Sequence, residues 1–208
     1  MMKRMLIFVA LLLASPALFA KGELAMRPAS VHAAPKPKKY VLPPTLKRLV
    51  VLPLAADVSR PDLTPGCDVL GPMVAAELVR LGKFEAVPAD PAILRSDFGD
   101  SHWTGGEALP PDFLESLQRL YGADAVVFCQ LTEFRGFEPL AVGWRLKLVD
   151  LRNGKILWAD DEILDARNPA VAAQVRRFYG GDGWLALNSP QMFGRFSLAA
   201  ILATLPGR

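Results

Sequence analysis

Apolar residues fall along this chain in a few short runs, set apart by polar stretches marked with glycine and proline. The first run, Met5–Leu13, follows Lys3 and Arg4 and precedes Ser15, Ala17 and Ala20. That is the charged start, apolar middle and small-residue end of a secretory signal. It falls short of the roughly 20 apolar residues a membrane-spanning helix needs, so residues 1–20 are expected to be a cleaved signal peptide. The next run, 49–54, is apolar at every position and predicts a strand covered on both faces. Leu70, Met73, Val74, Leu78 and Leu81 then recur at helical spacing, with Asp68 as the expected cap, Pro72 in the first turn and Gly82 as the stop.

A brief strand at 84–87 and a short helix at 89–95 follow. The turn-rich stretch Ser96 to Pro111 reads as a surface loop. Phe113, Leu114, Leu117, Leu120 and Tyr121 predict a helix over 112–121 that ends at Gly122. Residues 125–131 form another buried apolar strand. Trp144, Leu146 and Leu148 alternate with Arg145 and Lys147, the pattern of a half-exposed antiparallel strand. Asn153-Gly154 supplies a hairpin turn, and 156–158 begins the return strand. Asn168-Pro169 and Ser189-Pro190 each place a capping side chain ahead of a first-turn proline, opening two late helices. The order predicts an α/β (α+β) fold: a mixed sheet with a βαβα(α) start, an antiparallel meander, and helices packed over the sheet. No internal repeat interrupts it.

Charge divides the chain differently. Residues 21–48 hold seven basic residues against Glu23 alone and are rich in Ala, Pro and Lys; residues 49–208 hold 15 basic and 20 acidic residues. Residues 21–47 are therefore expected to be a disordered basic linker and 48–208 a single domain. The net +3 conceals a mildly acidic fold. A basic lead before an acidic domain suits contact with anionic lipid or wall polymer, or serves as a solvated spacer. It excludes a nucleic-acid reader, which carries its basic patch on the fold.

Three segments carry a resemblance: the strand at 49–54, the entry Tyr121-Gly122-Ala123-Asp124 into an apolar strand, and the hairpin Val149-Asp150 … Asn153-Gly154-Lys155-Ile156-Leu157-Trp158. Over about residues 47–165 the chain resembles the periplasmic and outer-membrane assembly-factor superfamily. That superfamily includes the curli secretion channel, the activator lipoproteins of penicillin-binding proteins and the amino-terminal domain of Tol translocation protein B. The resemblance implies a non-enzymatic protein that binds other envelope proteins or its own copies, in assembly or regulation of an envelope or secretion complex. Two departures stand out. No cysteine lies near the expected cleavage site, so the chain is expected to be periplasmic or outer-membrane-associated without a lipid anchor, and the long amphipathic strands of a pore are not evident.

Candidate chemistry is sparse. His32 falls in the linker and His102 in the loop beside Asp97 and Asp100. No spacing resembles a metal motif, a phosphate-cradling loop or a nucleophile elbow, so no cofactor, metal or catalytic residue is expected. Asp160, Asp161, Glu162 and Asp165 form the densest acidic cluster. It reads as a solvated edge that discourages sheet-to-sheet pairing; the alternative is an envelope hydrolase acting on wall polymer or glycan. Cys67 and Cys129 read as an unrelated loop thiol and a buried apolar residue, with a disulfide as the other option in an oxidising compartment.

The connection between strands near residues 132 and 141 offers the expected partner interface: Phe134, Arg135, Phe137 and Leu140, with Trp144 just inside the next strand. Hairpin tips normally carry polar turn residues, and aromatics with arginine are enriched where proteins meet. The tip either meets a partner or folds back so that its rings cap the core.

Overall fold

The computed structural model describes residues 40–206. The expected signal peptide, and the linker as far as residue 39, lie outside the described residues. The rest of the expected linker does not behave as one. Leu42 and Leu46 are buried in the main core, so packing begins ahead of Arg48.

Six strands form one mixed sheet: β1 (Arg48–Val51), β2 (Ala55–Ala56), β3 (Glu85–Pro88), β4 (Ala125–Arg135), β5 (Ala141–Asp150) and β6 (Ile156–Asp165). Their order is β3-β1-β4-β5-β6, with β2 pairing β4 beyond the end of β1. The pairs β1–β3, β1–β4 and β2–β4 are parallel, whereas β4–β5 and β5–β6 are antiparallel. The fold is thus α+β, a parallel half joined through β4 to a meander. Proline explains why β1 stops at Val51, short of the expected end at residue 54. Pro53 has no N–H to give the ladder, and pairing resumes only where Ala55 meets Gln130.

Both sheet faces are covered around β1, which is why its run is apolar throughout. Leu49 and Val51 point into the larger core; Val50 and Leu52 point into a smaller one. Over the larger core lie α1 (Thr64–Arg80), α4 (Pro169–Tyr179), α5 (Gly183–Ala186) and α6 (Pro190–Leu202). The smaller core is closed by α2 (Pro91–Phe98), α3 (Phe113–Tyr121) and the segment between them. α6 lies close against α1, and a Cβ at Gly194 would collide with the Leu70 side chain.

Several boundaries differ from expectation for local reasons. α1 starts at Thr64 with Pro65 in its first turn, continuing a 3-10 turn over Pro61–Leu63. Asp68 is therefore inside the helix, and Pro72 is an interior proline rather than a first-turn one. Asp90 caps α2 by accepting a hydrogen bond from the Ala92 N–H, moving that helix to 91–98. The expected surface loop at 96–111 instead contributes to the core. Trp103 and Ser101 are buried, and the Trp103 ring lies tilted against Phe113 with its centroid 5.1 Å away. Gly105, at φ 69, passes so close to Phe128 that a Cβ would lie 2.8 Å from its ring.

The segments that carry the resemblance have clear work in the fold. Gly122 ends α3 at φ 57. Asp124 then accepts hydrogen bonds from the N–H groups of Lys47 and Arg48, at 2.9 and 3.1 Å, and from Arg152, tying the starts of β1 and β4 to the end of β5. Burial would raise this carboxyl, but those backbone donors and Arg152 outweigh it and hold it below the ordinary value. In the β5–β6 turn only Gly154 takes positive φ; Asn153 uses its side chain instead, accepting from the Lys155 N–H.

Candidate partner-binding site

The hairpin linking β4 and β5 runs well past the body of the sheet. β4 continues to Arg135, four residues beyond the expected strand end, and carries a bulge between Leu131 and Glu133. Gly143 sits opposite the bulge, where a Cβ would lie 2.5 Å from Thr132 Oγ1. The extra residue bends the ladder, as bulges do. Phe134 thereby lies over the first turn of α1, closing on Gly66, where a Cβ would be 2.5 Å from its ring. Phe134 is half-buried there.

The five residues singled out in the sequence separate by environment. Leu140 and Trp144 are core residues, and Trp144 Nε1 donates to the buried Ser197 Oγ at 2.8 Å. Arg135 donates from Nη2 to Asp165 at 2.9 Å and from Nε to the Pro139 carbonyl. Phe137 alone is strongly exposed, at 71%. In the isolated chain the surface on offer therefore narrows to Phe137 and its rim, while the tip's other apolar groups turn inward.

The arginines of the rim are all paired, while Glu138 beside Phe137 is exposed and has no ion pair among the described residues. Asp165 receives both Arg135 and Arg167, the latter at 2.6 Å, and the Arg167 N–H at 2.8 Å. Its burial would raise the carboxyl, but the hydrogen bonds from Arg167 and Arg135 win and hold it below the usual range. Asp165 is thus buried and ion-paired, not part of a solvated edge. The rest of the acidic cluster lies along β6, the edge strand, and is partnered too. Asp161 meets Arg145 at 2.6 Å, and Asp160 accepts from Thr204 Oγ1 at 2.7 Å. Across the end of the sheet, Arg60 bridges Asp62 at 2.9 Å and Glu133 at 3.7 Å. That pair ties to β4 the loop bearing Val58, which is fully exposed and which the sequence reading missed. A lone valine among Asp, Ser and Arg gave no periodic signal.

A concavity of about 330 Å³ opens at the carboxyl ends of β1 and β3 and is lined in part by Cys67, Asp68 and His102. Ligands favour such strand ends in α/β sheets, but the side chains here are not activated. Burial, helped by Asp68, pushes the Cys67 thiol up to about 11, which leaves almost no thiolate at neutral pH. His102 Nδ1 sits 3.0 Å from Ser101 Oγ and 3.9 Å from Asp100, and Ser101 is buried. That local turn offers no accessible nucleophile. Asp97 lies at the end of α2, outside the groove's lining, and His32 lies outside the described residues. Among the described residues no group of three or more His, Cys, Asp or Glu could hold a metal ion. Cys67 and Cys129 are free thiols, with Cys129 wholly buried and its thiol pushed up to about 12.

Among the described residues no helix is long and apolar enough to cross a membrane. No family model matches the chain, and no curated protein sequence matches it. Solved structures do resemble it. The PelC dodecamer from Paraburkholderia phytofirmans aligns at 16% identity and a TM-score of 0.48, over 78% of this chain and 90% of that one. Lipoprotein GNA1162 from Neisseria meningitidis aligns at 23% identity and 0.36, over 64% and 96%. LpoB from Escherichia coli aligns at 16% identity and 0.40, over 77% and 84%.

Proposed function

We propose that this chain is a non-enzymatic module of the cell envelope that binds another envelope protein, or a further copy of itself, in assembly or regulation of a larger complex. The observation that carries the reading is Phe137, an aromatic ring 71% exposed on a tip whose flanking Arg135 is held by Asp165 and the Pro139 carbonyl. Arg135, Asp165, Arg167, Arg60 and Glu133 already satisfy one another around it. A partner can therefore cover the ring without stripping water from an unpaired guanidinium, the exposed Glu138 beside it keeping its own water at the edge of the contact. A rigid anchor also loses little conformational freedom on binding. The low-reactivity thiol and the buried Ser101 give the groove near His102 little to support hydrolysis.

Site-specific photocrosslinking in intact cells tests this. A crosslinking residue in place of Phe137 should give one discrete adduct, and the same residue in place of the exposed Leu120 on α3 should not. Equal labelling from both positions, or none from position 137, would overturn the proposal.

A further inference from the structure

Past the sheet, the chain builds a tight corner between α4 and α5. Gly180, at φ 58, turns the chain out of α4, and Gly180–Asp182 form a 3-10 turn. At Gly183 a Cβ would lie 2.5 Å from the Cα of Arg176, so the backbone of α5 rests directly on the last turns of α4. Ala186 is buried beneath, and Asn188 Nδ2 donates to the Trp184 carbonyl at 3.0 Å. The corner is well fixed, yet it turns Trp184 outward, 73% exposed, with Leu185 at 57%. Phe178, also exposed near the end of α4, stands edge-on to the buried Phe196 at 5.5 Å. The other three tryptophans of the chain, Trp103, Trp144 and Trp158, are all buried.

The charge here runs against the rest of the fold. Arg176 and Arg177 are exposed in the last turn of α4, and neither forms an ion pair among the described residues. Beside them, Arg80 and Arg195 both reach the buried carboxylate of Glu77, Arg195 at 2.8 Å. Both also act electrostatically on Tyr179, the residue that ends α4. Four arginines thus stand with only Glu77 and Asp182 as local carboxylates, in a domain where acidic residues outnumber basic ones.

We propose that this corner seats on an anionic lipid surface, with Trp184 and Leu185 entering the headgroup region and Arg176 and Arg177 meeting lipid phosphates. An indole ring, apolar in body and polar at its N–H, suits that boundary. Unpaired guanidinium groups gain from a negative surface potential and bind phosphate oxygens in a fork. Apolar burial and charge attraction together are what hold peripheral proteins on bilayers. The contact is independent of the Phe137 surface.

The full chain mixed with phosphatidylglycerol-containing vesicles tests the proposal, with pure phosphatidylcholine vesicles as the comparison. Flotation should recover protein only with the anionic vesicles. Trp184, as the one exposed indole, should shift its emission to the blue and lose most of its acrylamide quenching. Arg176→Gln with Arg177→Gln should weaken binding about tenfold or more. Trp184→Phe should retain binding, and Trp184→Ala should reduce it, all with unchanged melting curves. Three outcomes would overturn the idea. One is no preference for anionic vesicles. The second is binding that leaves Trp184 open to quencher and ignores the arginine changes, which would assign lipid contact to another part of the chain. The third is protection of Trp184 on raising protein concentration without lipid, which would make the occupant a second copy.

Discussion

The hairpin end and the α4–α5 corner both present an aromatic ring to solvent, but their surroundings are opposite. Around Phe137 every nearby guanidinium has a carboxylate: Arg135 and Arg167 share Asp165, and Arg60 reaches Asp62 and Glu133. Around Trp184 the cations outnumber their counter-ions, and Arg176 and Arg177 have none among the described residues. Exposure alone marks both as places where something could bind. The state of the charges separates them. Paired guanidinium groups favour an apolar protein contact with little electrostatic cost as long as the exposed Glu138 keeps its water, whereas unpaired arginines call for an anionic surface and make the contact sensitive to salt.

Substitutions can break or sharpen that contrast. The largest effect should come from Trp144→Ala, which empties a fully buried site beneath the hairpin and removes the donor to Ser197; a loss of about 3–5 kcal/mol is expected in denaturant unfolding. An effect below about 1 kcal/mol would mean the ring is not core. Asp165→Asn should cost about 2 kcal/mol, because Arg135 loses its charged partner in a part-buried setting. Its pH dependence gives a second check. The folded carboxyl lies below its unfolded value near 4. Its contribution is therefore fully present above about pH 4 and is lost as pH falls through the folded value. The variant's stability curve should be flatter in that acid range, and identical slopes would remove Asp165 from the account.

Phe137→Ala should weaken partner capture by about 1–2 kcal/mol while leaving the melting temperature nearly unchanged; a fall in stability with capture intact would place the ring in the fold instead. Increasing salt should barely alter that contact but should weaken attachment at Trp184. Smallest of all, alkylation of native protein at pH 7.5 should proceed on the order of 100-fold more slowly at Cys67 than for a free thiol, because its thiolate is scarce. Titration after denaturation without reductant should find two free thiols, and none would mean a bridge.

Elements with strong local signals were legible. β1 reads as apolar from Leu49 onward because both of its faces are covered, and Asn168 and Ser189 do cap their helices, accepting from the N–H groups of Ala170 and Met192. Gly122 and Gly154 stop and turn the chain at positive φ as their type suggests. What escaped depends on distant parts of the chain. Alternation told which of Trp144, Leu146 and Leu148 share a face, but not that α6 would cover it. The stretch 96–111 looked like a loop because its composition is polar; one residue, Trp103, anchors it, and a single anchor has no period. Asp68 looked like a cap only because Pro61, Pro65 and Gly66 suggested that no helix could precede it. Trp184 sat among glycines whose close approach to α4 emerges only in three dimensions.

The double role of β4 sets the order in which the chain can assemble. Its antiparallel partner is close at hand: Arg135 pairs with Ala141, and Val149 pairs with Ile156 across the next turn. Its parallel partner is remote, since Leu49 must find Ala125. Closing a long loop costs more entropy than closing a short one, and pairings between sequence neighbours form faster. The meander should therefore form first and serve as the template on which β1 docks, together with its nearer parallel partner β3. Until residue 127 is available, β1 has neither of its central pairings to β4 nor the face-covering helices α2 and α3 held in place. The apolar run from Leu49 thus has only the nearer β3 to pair with until β4 is in place, and during that wait its uncovered edge is exposed to aggregation.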